Sequence, residues 1–184
     1  MALLPFEQGE LDGLCGIYSV VNAVKLIAGR LSEYEATVLF EKILAYIETK
    51  HSIGAIMTEG IGTRDMIGIV KHVLRNDYGI GYRRPFLRSK NRSFENYLEE
   101  ISIFLHEGSP RAVIVSLDHK EWEHWTVIRS ISPQLIHLFD SSDMKRLNKE
   151  RCTIQAPTSD RPYMLNPSDT FFLTKVASAP VRTI

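Results

Sequence analysis

The sequence predicts an α+β fold: a helical half over about residues 1–110, with one central buried helix, packed on an antiparallel β-sheet over about residues 111–184, as a single domain. Three observations carry this. Apolar residues recur at helical spacing through the first hundred positions. Short runs dense in β-branched residues take over from Ala112. No repeat, low-complexity tract or linker divides the 184 residues. The 22 basic residues are matched by 22 acidic ones, which leaves no electrostatic footprint for nucleic acid or an anionic membrane. No stretch approaches the roughly 20 apolar residues of a membrane helix. The start, Met1-Ala2-Leu3-Leu4-Pro5-Phe6-Glu7, lacks the basic region and the long apolar run of a signal peptide. Cys15 and Cys152 form no disulfide framework, which points to a reducing compartment. The expectation is a cytoplasmic protein, with export by dedicated machinery left open.

The first helix is expected from Cys15 to about Ala28, with Gly29 closing it. Ile17, Val20, Val21, Ala23, Val24, Leu26 and Ile27 cover most of its circumference, the mark of a buried helix. Ser32 and Glu35 form a capping box for a second helix that fades near Lys50. His51 to Gly62 has no clear period and reads as a loop, lining a site or merely connecting. Thr63 caps a third helix, with Met66, Ile67, Val70, Val73 and Leu74 inward. Ile80 to Arg84 is a short strand ended by Pro85. The basic run Arg83, Arg84, Arg88, Lys90 and Arg92 reads as solvated surface. Ser93 caps a fourth helix, stopped by Gly108 and Pro110. Strands are expected at Ala112–Leu117, His124–Ile131, Leu135–Asp140 and Thr170–Val176, the second and third joined as a hairpin through Ser132-Pro133. A polar connection runs from Ser141 to Ser168.

The chemistry gathers at three places. Cys15 opens a helix, where the partial positive charge of the helix N-terminus favours an anion and so the nucleophilic thiolate. Gln8, seven positions upstream, offers a side-chain amide donor; with the Cys15 backbone N–H it would complete an oxyanion hole. His124 begins one strand of the hairpin and Asp140 ends the other, so a carboxylate can hold the imidazole by one nitrogen and leave the second as general base. Asp143 is a rival carboxylate and His119 a rival base in a charged flank. Cys152, without a histidine neighbour in sequence, reads as structural or incidental. The six histidines show no convincing ligand spacing, and Gly60-Ile61-Gly62 lacks the rest of a phosphate loop, so no metal or cofactor is expected.

Gln8, Leu14-Cys15-Gly16 at a helix start, His124-Trp125-Thr126-Val127-Ile128 and Leu138-Phe139-Asp140-Ser141 together resemble the papain-like cysteine peptidase superfamily. In spacing they look most like Josephin deubiquitinases and bacteriocin-processing peptidases. The resemblance implies a papain-like cysteine protease fold, Cys15 as nucleophile, His124 as general base and acid, Asp140 as orienter and Gln8 as oxyanion donor. Asp12-Gly13-Leu14-Cys15 is also similar to the nucleophile loop of ovarian-tumour-type deubiquitinases, which implies a secondary role for Asp12. The matching blocks cover about a third of the chain, and Leu31–Arg111 matches no family motif. The expected activity is cleavage of a peptide, isopeptide or side-chain amide in a protein or peptide substrate. Deamidation or acyl transfer by the same triad, and an inactive binding module on the same scaffold, are the alternatives.

Overall fold

A computed structural model describes residues 3–10, 12–88, 92–108 and 110–176. Helix α1 (Cys15–Ala28) forms where apolar side chains run round nearly the whole circumference, and nine of its 14 residues are buried. Gly29 ends it in the left-handed region at φ 74°, donating its N–H to Leu26 C=O. Helix α2 (Glu33–Glu48) starts from the complete capping box: the Ser32 hydroxyl accepts from Glu35 N–H, and the Glu35 carboxylate accepts from Ser32 N–H.

The stretch expected as a loop contains helix α3 (Ile53–Glu59), capped by Ser52. It buries only Ile56, too little for an apolar period to show in the sequence. Helix α4 (Thr63–Ile69) continues through a π-turn at Val70–Leu74 into α5 (Arg75–Tyr78). Its N-cap is Gly62, not Thr63; the Thr63 hydroxyl donates to Asp169 Oδ1 at 2.8 Å and ties the helix to the far end of the chain. Helix α6 (Phe94–His106) begins at its expected cap, Ser93.

The strands are β1 (Ile80–Arg83), β2 (Arg111–Asp118), β3 (Glu123–Ile131), β4 (Leu135–Leu138), β5 (Arg146–Asn148), β6 (Cys152–Thr153) and β7 (Tyr163–Lys175). They form one sheet in the order β1-β7-β2-β3-β4-β5, with β6 alongside β7. Every pairing is antiparallel except the short β6–β7 pair. The α+β class holds, but the layers do not follow the two halves of the chain. β1, from the helical half, joins the sheet beside β7. The sheet is covered on both faces: α1 packs on Ala112, Ile114, Val127, Phe171 and Leu173, with α2 and α4 in the same core, while α6 packs on Val113, Val115, Leu117, Ile128 and Phe172. Alternate residues of β2 point into the two cores, which is why it reads as an unbroken apolar run.

β7 is longer than Thr170–Val176. It begins at Tyr163, and its register against β2 slips between the pairs Val115↔Thr170 and Leu117↔Leu165. The extra residues bulge around Pro167, which cannot donate to a ladder and conceals the first part of the strand. The polar connection Ser141–Ser168 therefore holds β5, β6 and the start of β7.

The basic run is not simply solvated. Arg84 pairs with Asp169 at 3.3 Å and donates to Ser168 C=O in the bulge. Arg83 lies over the Phe104 and Phe172 rings, and Arg92 pairs with Glu100 while covering Phe86. Lys90, like Leu11 in the loop before Cys15, lies outside the described residues. Among the described residues no helix is long and apolar enough to cross a membrane.

Gly60 joins the helical layer to the loop before α1. It has φ 73°, and a Cβ there would sit 2.7 Å from the Gly13 carbonyl oxygen. Gly13 N–H donates to Met57 C=O at 2.6 Å in the same contact. Gly60→Ala is expected to cost about 1–3 kcal/mol, the scale of a strained backbone position. Urea unfolding reads this as a lower midpoint at unchanged slope, and a wild-type midpoint contradicts it.

Candidate active site

Cys15 is the first residue of α1 and is half-buried. Among the described residues no side chain caps this helix, and its first turn holds no acidic residue. The loop before it is shaped by Asp12, whose carboxylate accepts from Gly9 N–H at 2.8 Å and Leu14 N–H at 3.1 Å. Asp12 therefore shapes the loop that leads into Cys15. Gly16 lets the first turn approach β3 closely: a Cβ there would overlap the Ile61 side chain and lie 3.1 Å from Trp125 Cδ1. The Trp125 indole donates to Ile61 C=O at 2.9 Å, and the Trp125 backbone N–H donates to Cys15 Sγ at 3.5 Å.

His124, buried at the start of β3, meets Asp140 as expected from the hairpin, with Nε2 and Oδ2 2.7 Å apart. The Cys15 sulfur lies near enough to the imidazole to favour its charged form. Burial opposes the imidazolium, but the bond to Asp140 and the facing Cys15 sulfur outweigh it and raise His124 from 6.5 to about 9. Burial also opposes the Asp140 carboxylate. The His124 bond and charge, with the Thr126 and Ser142 hydroxyls beside it, lower it to about 2 all the same. Among the described residues Thr126 Oγ1 is buried without a hydrogen-bond partner.

The two Asp140 oxygens divide the work. Oδ2 takes the imidazole, while Oδ1 accepts from Ser142 N–H at 2.8 Å and the Ser142 hydroxyl at 2.7 Å. Asp140 is thus both orienter and turn cap. Asp-Ser-Ser is a turn signature in sequence, and read that way it predicts the bonds that fix the carboxylate.

Gln8 is held to the residue after Asp140. Its N–H donates to Ser141 C=O at 2.9 Å, and the Ser141 hydroxyl donates to Gln8 Oε1 at 3.1 Å. The extended segment carrying Gln8 is also clamped to α1: Asn22, fully buried, accepts from Phe6 N–H at 2.7 Å and donates to Phe6 C=O at 3.0 Å. Ser141 and Asn22 are not legible in the sequence as site residues, because both have partners far away along the chain.

The rivals stand elsewhere. Asp143 is exposed, takes φ 63° in the turn after Asp140 and pairs with Lys145. His119 stacks on Trp122 at 4.9 Å in the β2–β3 turn. Cys152 is fully buried in the α6-side core, its S–H donating to Asn148 C=O, and burial pushes its thiol up to about 12. Among the described residues no three histidine, cysteine or acidic side chains gather as a metal site.

These environments make two expected outcomes. Iodoacetamide at pH 7.5 is expected to label Cys15 and spare Cys152 in the folded protein, read by peptide mass spectrometry; equal labelling contradicts the assignment. His124 is raised on folding, so its contribution to stability is complete below about pH 6.5 and is lost as pH rises through about 9. Urea unfolding at pH 6 and pH 9.5 should therefore show a larger loss in wild type than in His124→Gln, and equal losses contradict the shift.

No family model matches the chain and no curated protein does, so a functional reading rests on the geometry of the site.

Proposed function

We propose that the protein is a papain-like thiol hydrolase that cleaves a peptide, isopeptide or side-chain amide bond through Cys15, His124 and Asp140. The observation that carries this reading is a buried imidazole held by a carboxylate at 2.7 Å, with the Cys15 sulfur at the nearby helix N-terminus favouring its charged form. That arrangement suits a thiolate–imidazolium pair better than a structural cysteine, for which Cys152 offers the contrast within the same molecule.

The chemistry then runs in two steps. The Cys15 thiolate adds to the amide carbonyl carbon, and the oxyanion formed is held by the Cys15 backbone N–H and the Gln8 amide. As the intermediate collapses, the C–N bond breaks and His124 gives its proton to the departing amine, leaving a thioester on Cys15. Water then adds to the thioester while His124 takes its proton. The carboxylic acid leaves as the C–S bond breaks and the thiolate returns. Asp140 keeps the ring turned toward the sulfur throughout. An amine in place of water in the second step gives acyl transfer.

The test is turnover of fluorogenic peptide amides and of an isopeptide-linked conjugate. Cys15→Ala is expected to abolish turnover and His124→Ala to lower it by about 10²–10⁴. Gln8→Ala is expected to lower kcat by about 10²–10³, the usual cost of one oxyanion donor. Turnover that survives Cys15→Ala overturns the mechanism. Turnover of the wild type should also fall as pH rises through about 9, where His124 loses the proton the leaving amine needs.

A further inference from the structure

We infer that Ser141 is a positioning residue that aims the Gln8 amide at the developing oxyanion, an inference that rests on the acyl-transfer reading of the site. A glutamine side chain can present either its carbonyl or its NH₂ group to a neighbour, and only the NH₂ group stabilises negative charge. A serine hydroxyl can donate or accept; here the Ser141 hydroxyl donates to Gln8 Oε1 at 3.1 Å, so the carbonyl end is engaged and the NH₂ end is turned away from Ser141. Ser141 also accepts the Gln8 backbone N–H, so both the main chain and the side chain of Gln8 are referred to one residue. Ser141 is itself only 3% exposed, which keeps its hydroxyl from exchanging partners with solvent.

The placement gives this bond a further meaning. Asp140 directs the imidazole, Ser142 fixes Asp140, and Ser141 between them holds Gln8. One three-residue turn at the end of the hairpin therefore sets the base and the oxyanion donor together. Neither Gln8 nor the turn can shift without moving the other.

The test separates two reactions of the same sulfur. Alkylation by iodoacetamide displaces iodide at a saturated carbon and develops no oxyanion. Acylation by 4-nitrophenyl acetate passes through one: the C–S bond forms, the C–O bond breaks, and 4-nitrophenolate departs with the electron pair. In Ser141→Ala, the acylation rate of Cys15 is expected to fall about 3–10-fold, the range one neutral hydrogen bond supports, while the alkylation rate stays at the wild-type value. Ser141→Thr, which keeps the hydroxyl, is expected to recover acylation. Adding Ser141→Ala to Gln8→Ala should cost nothing more. Equal losses in both reactions make Ser141 merely structural, and additive losses detach it from Gln8; either result overturns the inference while leaving the triad intact. A wild-type protein that alkylates at Cys15 but never acylates removes the acyl-transfer reading itself, and the role of Ser141 with it.

Discussion

The close approach of the first turn of α1 to β3 is the constraint on which the site depends. A helix carries its N-terminal charge effect only over its first turn, so the thiol must sit there, and an imidazole on a strand must come to meet it. The contact is made by leaving out side-chain volume at Gly16 and filling the space with Ile61 and the Trp125 indole. The Trp125 backbone N–H reaches the sulfur across the same gap. The apolar circumference of α1 is a result of this: a helix driven against the sheet on one side and covered by α2 on the other has almost no face left for water.

A second constraint is charge. Asp140 and His124 are both buried, and an isolated charge on either would be expensive. Each is ionised because of the other. The remaining carboxylate oxygen is satisfied by the turn at Ser142, so the buried acid takes its bonds from an imidazole and a turn rather than from a lysine or arginine. The electrostatics of the pair and the backbone of the turn are therefore one structure.

Much of this can be read from residue order alone, and the parts that cannot share a cause. Cap and periodicity signals are local: Ser32 with Glu35, the Ser93 cap and the Gly29 stop each involve residues a few positions apart, and each marks the element boundary it announces. The contact of His124 with Asp140 is legible because a short hairpin turn makes one long-range juxtaposition predictable. What escapes is every feature decided by a distant partner. Thr63 gives up its cap role to Asp169, Arg84 turns to Ser168, Arg83 lies over Phe104 while staying exposed, and Ser141 finds Gln8. The position of α6 on the far face is of the same kind. Its apolar stripe shows that it covers something, and nothing in 13 residues says which side of the sheet.

The place of β7 sets the order in which such a chain can assemble. It lies between β1 and β2, so Ile80 finds its partner only in Lys175, across most of the molecule. Helices and the β2–β3–β4 meander involve near neighbours and can form as the chain emerges from the ribosome. The sheet as a whole cannot, because β7, which joins β1 to β2, is translated after every other strand described. Until then β1 and β2 both present open edges, and the apolar residues of both cores lack their shared wall. Long-range pairing of this sort slows folding and leaves sticky intermediates exposed. The start of α1 and the start of β3 thus rest on a sheet that is complete only once its last strand is in place.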